Sequence, residues 1–354
     1  MKRVFIDGSA GTTGLRIRER LASRGDLELV VLPEEVRKDV EARRRALNGA
    51  DVAFLCLPDA AAVEAVSLVE NPETVVIDTS TAHRTAEGWE YGFPELAGRR
   101  ERIAAAKRIA NPGCHASGFV ALVEPLVRAG LVAKDAQLCT FSLTGYSGGG
   151  KKMIAEYDLW RQECRHPMLS PSQETLSQPQ ETLSPPQESP AEARGGDIPV
   201  AATLSLGGRQ YALGQKHKHL PEMAKICGLA NEPCFSPIVV PHLSGMEVTV
   251  QLFASQFRET GTTLEQVKDV YRAYYGQGGL VRFVDDPASA EGGFLSSAAL
   301  SGRDDMEVSV HGNDERMLLV ARFDNLGKGA SGAAIQNMNL ALGCDEETGL
   351  KVKA

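Results

Sequence analysis

Cys114 stands in the run Ile109-Ala110-Asn111-Pro112-Gly113-Cys114-His115-Ala116-Ser117-Gly118. Asn-Pro-Gly is a turn signal, and an apolar pattern of helical spacing follows it from Ala116 through Leu122 to Val127. The spacing predicts a helix that begins at Cys114. At a helix N-terminus the dipole and the free N–H groups lower a thiol pKa and favour the thiolate, and they can also hold a developing oxyanion. Cys114 is therefore the expected nucleophile, while Cys56, Cys139, Cys164, Cys227, Cys234 and Cys344 read as core residues. An acid–base partner near neutral pKa is offered by Lys216-His217-Lys218-His219-Leu220-Pro221-Glu222. In an extended chain His217 and His219 share one face. Either imidazole suits proton transfer, and His217 is the first choice. The pair with Glu222 also reads as a metal site, but no further ligand spacing supports that, and no metal is expected. Lys216 and Lys218 either hold an anionic substrate or are solvated.

A second local signal lies at the chain's start. Asp7-Gly8-Ser9-Ala10-Gly11-Thr12-Thr13-Gly14 follows an apolar run and precedes a helical pattern. The spacing is G-x-x-G-x-x-G rather than the commoner G-x-G-x-x-G. Such a loop presents backbone N–H groups and a helix dipole to a pyrophosphate, with the Ser9, Thr12 and Thr13 hydroxyls at hand. The next strand ends at Leu32-Pro33 without the acidic residue typical of NAD sites, and Arg37 and Lys38 follow. Those cations favour a 2′-phosphate, hence NADPH/NADP; a solvated charged turn containing Glu34 and Glu35 is the other reading. Ser147 and Gly148, in a glycine-rich turn, line either the cofactor or a substrate phosphate, or form a surface loop. Arg84 and Ser80, after an apolar strand, contact substrate or cofactor, or are ordinary loop polarity.

The elements that must position these residues alternate in the first half. Val4 to Asp7, Leu27 to Leu32, Ala50 to Leu57 and Thr74 to Ile77 read as strands. Gly14 to Arg24, Val40 to Leu47 and Ala60 to Val69 read as helices. This predicts an α/β fold opening with a Rossmann-type, doubly wound parallel sheet. In the middle, Gln137 to Leu143, Val200 to Leu206 and the alternating Met246 to Phe253 read as longer strands of an antiparallel sheet, an α+β domain packed on helices. Ala330 to Leu342 reads as a helix whose small residues predict close packing. Ser170 to Pro190 is a degenerate heptad repeat rich in Pro, Gln, Ser and Glu, expected to be a surface insertion.

The totals fit this reading. The 354 residues suggest two domains, and 43% hydrophobic against 24% charged residues is ordinary for a globular chain. A net charge of −8 argues against nonspecific nucleic-acid or anionic-membrane binding. No apolar run approaches a membrane span or a signal segment. Seven scattered cysteines without a C-x-x-C pair point to a reducing, cytoplasmic setting.

Taken together, DGSAGTTG, the NPGC turn, KHKHLPEM and DNLGKGASGAAIQNMNLALG resemble the N-acetyl-gamma-glutamyl-phosphate reductases, the shorter of that family's two sequence types. WEYGFPEL and TGYSGGGKK look like further blocks of the family. The resemblance spans residue 2 to about 345. It implies NADPH-dependent reduction of an acyl phosphate, N-acetyl-glutamyl 5-phosphate, to its semialdehyde through a Cys114 thioester, in arginine biosynthesis. It implies a fold like aspartate-semialdehyde dehydrogenase, with an NADP-binding domain at 1–115 completed by 326–354. A catalytic and oligomerisation domain would occupy 116–325, interrupted by an insertion at 166–194. The C-terminal helix would return to the first domain, and the protein would be a homo-oligomer, dimer or tetramer. It places the KHKH block at the active site and Asn325 near the nicotinamide; by composition alone Asn325 is a turn residue. Asn111, Arg84 and Lys216 are the expected substrate contacts. Rival readings are a reductase of aspartyl or carrier-linked aminoadipyl phosphate, a non-enzymatic NADP-binding sensor, and a cysteine hydrolase. The last has no use for the glycine loop.

Overall fold

The computed structural model describes residues 1–164, 207–276 and 278–353. The insertion expected at 166–194, with its repeat, and the strand expected at Val200 to Leu206 lie outside them. The first half supplies six parallel strands: β1 (Lys2–Asp7), β2 (Leu27–Val30), β3 (Val52–Leu55), β4 (Val75–Asp78), β5 (Glu90–Tyr91) and β6 (Arg108–Ala110). Their order is β2-β1-β3-β4-β6-β5. Between them run α1 (Thr12–Leu21), α2 (Val40–Asn48), α3 (Asp59–Ser67) and α4 (Arg99–Ala105). Both faces of the sheet are covered, as the near-continuous apolar strands require. Val4, Ile6, Val52, Phe54, Val75 and Ile77 pack on one side, while Phe5, Ala53, Leu55 and Val76 pack on the other with Leu47 and Ala65. The period-2 side-chain rule sends alternate residues of one strand to the two cores.

The chain then enters α5 (Cys114–Arg128), β7 (Cys139–Gly145), a short 3₁₀ turn at Tyr146–Gly149 and α6 (Gly150–Cys164). After the undescribed stretch come β8 (Arg209–Gln210), α7 (Leu220–Cys227), β9 (Cys234–Val240), β10 (Met246–Phe253), α8 (Leu264–Tyr275), β11 (Val281–Phe283), β12 (Met306–Asn313) and β13 (Arg316–Phe323). The strands form a seven-stranded sheet in the order β11-β12-β13-β10-β7-β9-β8. The sheet is mixed rather than purely antiparallel: β7 runs parallel to β9, and β11 to β12. Long crossovers separate both pairs in sequence, α6 lying in the first, and a crossover rather than a hairpin is what joins parallel neighbours. One face holds the largest core, where Phe119, Leu122 and Leu126 of α5 meet Val248, Val250, Leu319 and Ala321. On the opposite face Thr249, Val320 and Arg322 are buried, and only the end toward the β12–β13 turn is open, where Phe253 and Leu318 are 57% and 43% exposed.

A π-helical turn at Gly327–Ser331 leads into α9 (Gly332–Ala341). As expected, this last helix returns to the first sheet: Ala334, Ile335 and Met338 complete the core that holds Val4, Ile6 and Ile109. Its buried polar residues are tied into the fold, although Asn337 Oδ1 is left without a partner among the described residues. Asn337 Nδ2 donates to Gly92 O (2.9 Å) and Asn111 Oδ1 (3.3 Å), and Asn339 Nδ2 donates to Thr348 O (2.9 Å). No helix among the described residues is long and apolar enough to cross a membrane.

Candidate active site

The N-P-G-C turn leaves the first sheet at the end of β6 and starts α5 at Cys114, with Gly113 as an extended N-cap. The turn is held from four sides. Asn111 N donates to Asp78 O (2.8 Å), and Asn111 Nδ2 to Ala330 O (3.1 Å). Arg84 Nε donates to Asn111 O (2.9 Å). Gly113 N donates to Glu222 Oε1 (2.8 Å), which also accepts from Tyr91 Oη (2.8 Å). Glu222 Oε2 accepts from Arg84 Nη1 (3.1 Å). Both carboxylate oxygens of Glu222, 1% exposed, are therefore spent on holding this turn. They do not converge with His217 and His219, and the metal reading of that trio loses its third ligand.

His217 and His219 do reach the nucleophile's cleft, but not through an extended strand. His219 is already in helical conformation as the N-cap of α7. The two rings meet edge to face at 4.6 Å, and His219 N donates to His217 Nδ1 (3.2 Å). At Gly113 a Cβ would overlap His219 Nε2 and Arg84 Nη1. The glycine thus lets an imidazole and a guanidinium close onto the backbone beside Cys114. From the far side the π turn presses in, where a Cβ on Gly329 would lie 3.0 Å from Cys114 Cβ.

The electrostatics differ from the sequence expectation at one point. Burial raises the Cys114 thiol above its ordinary value. The Arg84 guanidinium, the His115 backbone N–H at the helix start and Lys218 pull it down, without overcoming burial. The expected depression assumed an exposed helix N-terminus, whereas this thiol is half-buried among apolar atoms. Burial also keeps the imidazoles neutral: His217 is lowered to about 4, with Lys218 and Arg84 adding to it, and His219 is pushed well below its ordinary value.

Two side chains that sequence reasoning did not place here, His115 and Tyr211, belong to the same cluster. His115, next to the nucleophile, is 2% exposed and bonds Ser142 Oγ through Nδ1 and Tyr211 Oη through Nε2, both at 2.6 Å. Burial lowers it to about 3. Tyr211 faces the same cleft, and Lys218 rather than Lys216 lines it; Lys216 is exposed and outside. Outside the cleft, His83 bonds Asp78 Oδ2 through Nδ1 (2.6 Å) and stacks on Trp89 at 4.1 Å.

The cleft, about 390 Å³, joins this cluster to the glycine loop. Gly11, Thr12 and Thr13 line one end, and Ser147, Gly148 and Asn325 lie beside Cys114, His217 and His219. Asn325, 2% exposed, donates from Nδ2 to Ser147 Oγ (3.1 Å) and accepts from Gly245 N at Oδ1 (3.0 Å). Arg84 also lines the cleft, although its third nitrogen is bound too, Nη2 to Thr79 O (3.0 Å). A neighbouring cavity of about 180 Å³ gathers Gly8 and Ser9 with Leu32, Arg37 and Lys38. Arg37 pairs with Glu34 at the surface (2.9 Å).

The loop fits a dinucleotide. Gly8 has φ +84°, and a Cβ there would overlap Cys56 O; a Cβ on Gly14 would sit 2.5 Å from Gly8 O. Only glycines let the loop fold this tightly over β3 and bring α1 close to it. Gly11, by contrast, faces the cleft with ordinary room, leaving backbone bare where phosphates would lie.

Comparison with known proteins agrees with this geometry. Residues 3–106 match the family model described as semialdehyde dehydrogenase, NAD binding domain, and residues 201–325 match semialdehyde dehydrogenase, dimerisation domain. The chain is 40% identical to N-acetyl-gamma-glutamyl-phosphate reductase 2 of Nostoc sp., covering 98% of this chain and 99% of the relative. It is 42% identical to N-acetyl-gamma-glutamyl-phosphate reductase of Brucella ovis, covering 96% and 99%. The crystal structure of aspartate semialdehyde dehydrogenase II from Vibrio cholerae, complexed with ASA, shares the fold with a TM-score of 0.66 at 19% identity, covering 97% of this chain and 98% of that one.

Proposed function

Because the chain belongs to the N-acetyl-gamma-glutamyl-phosphate reductase family, we propose that it reduces N-acetyl-L-glutamyl 5-phosphate to N-acetyl-L-glutamate 5-semialdehyde and phosphate with NADPH, in cytoplasmic arginine biosynthesis. The observation that carries the reading is the single cleft in which a cysteine at a helix start and two neutral imidazoles meet a glycine loop built for a dinucleotide.

Cys114 Sγ attacks the acyl carbon, the C–O bond to phosphate breaks, and a thioester forms. Lys218 and the N-terminus of α5 face the departing phosphate and the oxyanion. When bound, the reduced nicotinamide would supply the hydride, and solvent the proton, that together convert the thioester to a thiohemiacetal. His219, whose Nε2 rests against Gly113, then takes the hydroxyl proton as the C–S bond breaks, releasing the aldehyde and the thiolate. His219 is preferred here to His217 because it packs against the nucleophile's own turn, while His217 stands further out and supports it through Nδ1. Glycine-loop residues Gly8, Ser9, Gly11, Thr12, Thr13 and Gly14 would hold the pyrophosphate. Arg37 and Lys38 beside Gly8 would take the 2′-phosphate, supporting NADP over NAD. Ser147, Gly148 and Asn325 would border the nicotinamide, and Asn111 and Arg84 the acyl phosphate.

Residues 1–115 with 326–354 are proposed as the cofactor domain and 116–325 as the catalytic and oligomerisation domain. A homo-oligomer, dimer or tetramer, is supported by the dimerisation-domain match and by the exposed apolar end of the second sheet, Phe253 and Leu318, which a second copy would cover. The deciding assay is NADP reduction with the semialdehyde and phosphate. Wild type is expected to be active and Cys114→Ser to lose at least about 10³-fold. Retained activity in Cys114→Ser removes the thioester, and turnover only of another acyl phosphate moves the substrate.

A further inference from the structure

A second cavity, about 510 Å³, opens from the nucleophile on the side away from the glycine loop. It shares Cys114, His115, Tyr211 and Lys218 with the main cleft and then runs along the second sheet to Met153, Val239 and Arg209. Its lining includes no glycine-loop residue. It therefore lies where the remainder of an acyl group must go once its phosphorylated end meets Cys114.

The cations of the two cavities divide by position. Arg84 is consumed by Glu222, Asn111 O and Thr79 O. Lys218 borders both spaces and acts on the thiol itself, so it belongs with the phosphate. Arg209 is left at the far end. Its guanidinium lies over the Trp160 ring (4.7 Å) and the Tyr157 ring (5.0 Å), and Nε donates to Tyr157 Oη (3.2 Å). Tyr157, 1% exposed, is itself stacked on Tyr146 at 4.4 Å. Stacking on aromatic faces fixes the plane of an arginine and leaves its edge to meet a carboxylate. Glu156 Oε1 lies 3.6 Å from Nη1, too long for a hydrogen bond.

Spacing supports the same assignment. Arg209 and Tyr211 are two residues apart where the β8 ladder continues, Tyr211 N donating to Pro237 O (3.1 Å). Their side chains leave the same face with Cα atoms about 6.5–7 Å apart. Tyr211 Oη marks the nucleophile's end through its bond to His115. A five-carbon acyl chain, with C–C bonds of about 1.5 Å, spans about 5 Å from its acyl carbon to its distal carboxylate.

We propose that Arg209 reads the distal α-carboxylate of the substrate in this second cavity and sets selectivity for acyl phosphates that carry one. The inference rests on the proposed reaction for its substrate. The test compares wild type, Arg209→Gln and Arg209→Lys on N-acetyl-glutamate 5-semialdehyde and on its α-carboxamide. Arg209→Gln is expected to raise KM for the carboxylate substrate about 10–100-fold with little change in kcat, the loss of one charge-assisted hydrogen bond. For the carboxamide, wild type and variant should agree within about twofold, and lysine should restore part of the loss. Equal losses on both substrates, or no loss on either, overturn the assignment. A second arm measures calorimetric binding of N-acetyl-L-glutamate and its α-amide to Cys114→Ala proteins with and without Arg209→Gln. There too, only the carboxylate ligand should feel Arg209; equal effects on both ligands overturn the proposal even if wild type turns over neither aldehyde. A wild type inactive on the semialdehyde counts against the reaction alone, because the binding arm judges Arg209 without turnover.

Discussion

Arg84 is the residue on which the charge of the site turns. It lies close enough to Cys114 to lower the thiol, it depresses His217 and His219, and its three nitrogens tie Glu222, Asn111 and Thr79 together. Burial opposes ionisation of Cys114, and Arg84 heads the influences that favour it. Removing the cation removes stabilisation of the thiolate, so the thiol pKa must rise further. Arg84→Gln is therefore expected to move the pH midpoint for iodoacetamide alkylation of Cys114 upward and to slow labelling at pH 7. An unchanged midpoint would mean that the guanidinium serves only to hold the turn. The neutral imidazoles have a different consequence. With His217 lowered to about 4, the proton acceptors stay unprotonated across the neutral range, and thiol ionisation sets the acid limb of activity.

At the scale of elements, α5 can carry its nucleophile only because it lies unusually close to the second sheet. A Cβ on Gly118 would stand 2.5 Å from Val248 Cγ2 and 2.7 Å from Val248 Cβ. Gly118→Ala is expected to destabilise by about 1–3 kcal/mol, read as a lower urea midpoint, since the helix must lift or Val248 must shift. If the midpoint is unchanged, the packing has slack. Legibility from sequence divides along the same line. The glycine loop, the N-P-G-C turn and α5 are readable because each is a local pattern of turn and period. β12 and β13 form the long hairpin beside β10, yet their strand character passed unread because only Asp314 and Glu315 separate them. The H-x-H pair lines the cleft, but not as an extended segment: Leu220 and Pro221 begin a helix, so His219 turns as its N-cap. That turn also brings Lys218 to the cleft and leaves Lys216, the expected substrate contact, outside it. The role of Glu222 in holding the turn, and the places of Tyr211 and Arg209, are not legible for a different reason. Glu222 meets Gly113 across 109 residues and Tyr211 meets His115 across 96, and nothing local announces such pairings.

Across the whole molecule the two sheets are bound by a buried ion pair. Lys328 of the π turn, 1% exposed, donates to Glu95 Oε1 and Oε2 (2.9 and 2.8 Å) and to Gln336 Oε1 (2.5 Å), over the Phe93 ring. Glu95 also accepts from Leu280 N (3.1 Å), so one carboxylate joins the first half, the second sheet's edge and the last helix. Burial pushes Glu95 up, but Lys328 and the Gln336 amide outweigh it and leave its pKa below the ordinary value. Its stabilising contribution is thus present above about pH 4.3, the unfolded carboxylate value, and is lost as pH falls through the lower folded value. Lys328→Met is expected to cost about 3–5 kcal/mol at neutral pH by leaving Glu95 unpaired, and Lys328→Met with Glu95→Gln together to cost less than the single change. Additive losses in urea titrations would count against a paired role. The return of α9 carries a further consequence, for how the chain is born. The core of the first sheet lacks Ala334, Ile335 and Met338 until every strand of the second sheet has been synthesised. At roughly 5–20 residues per second, the nucleotide-binding half waits some tens of seconds with its apolar face uncovered, so this enzyme cannot mature strictly from its beginning to its end.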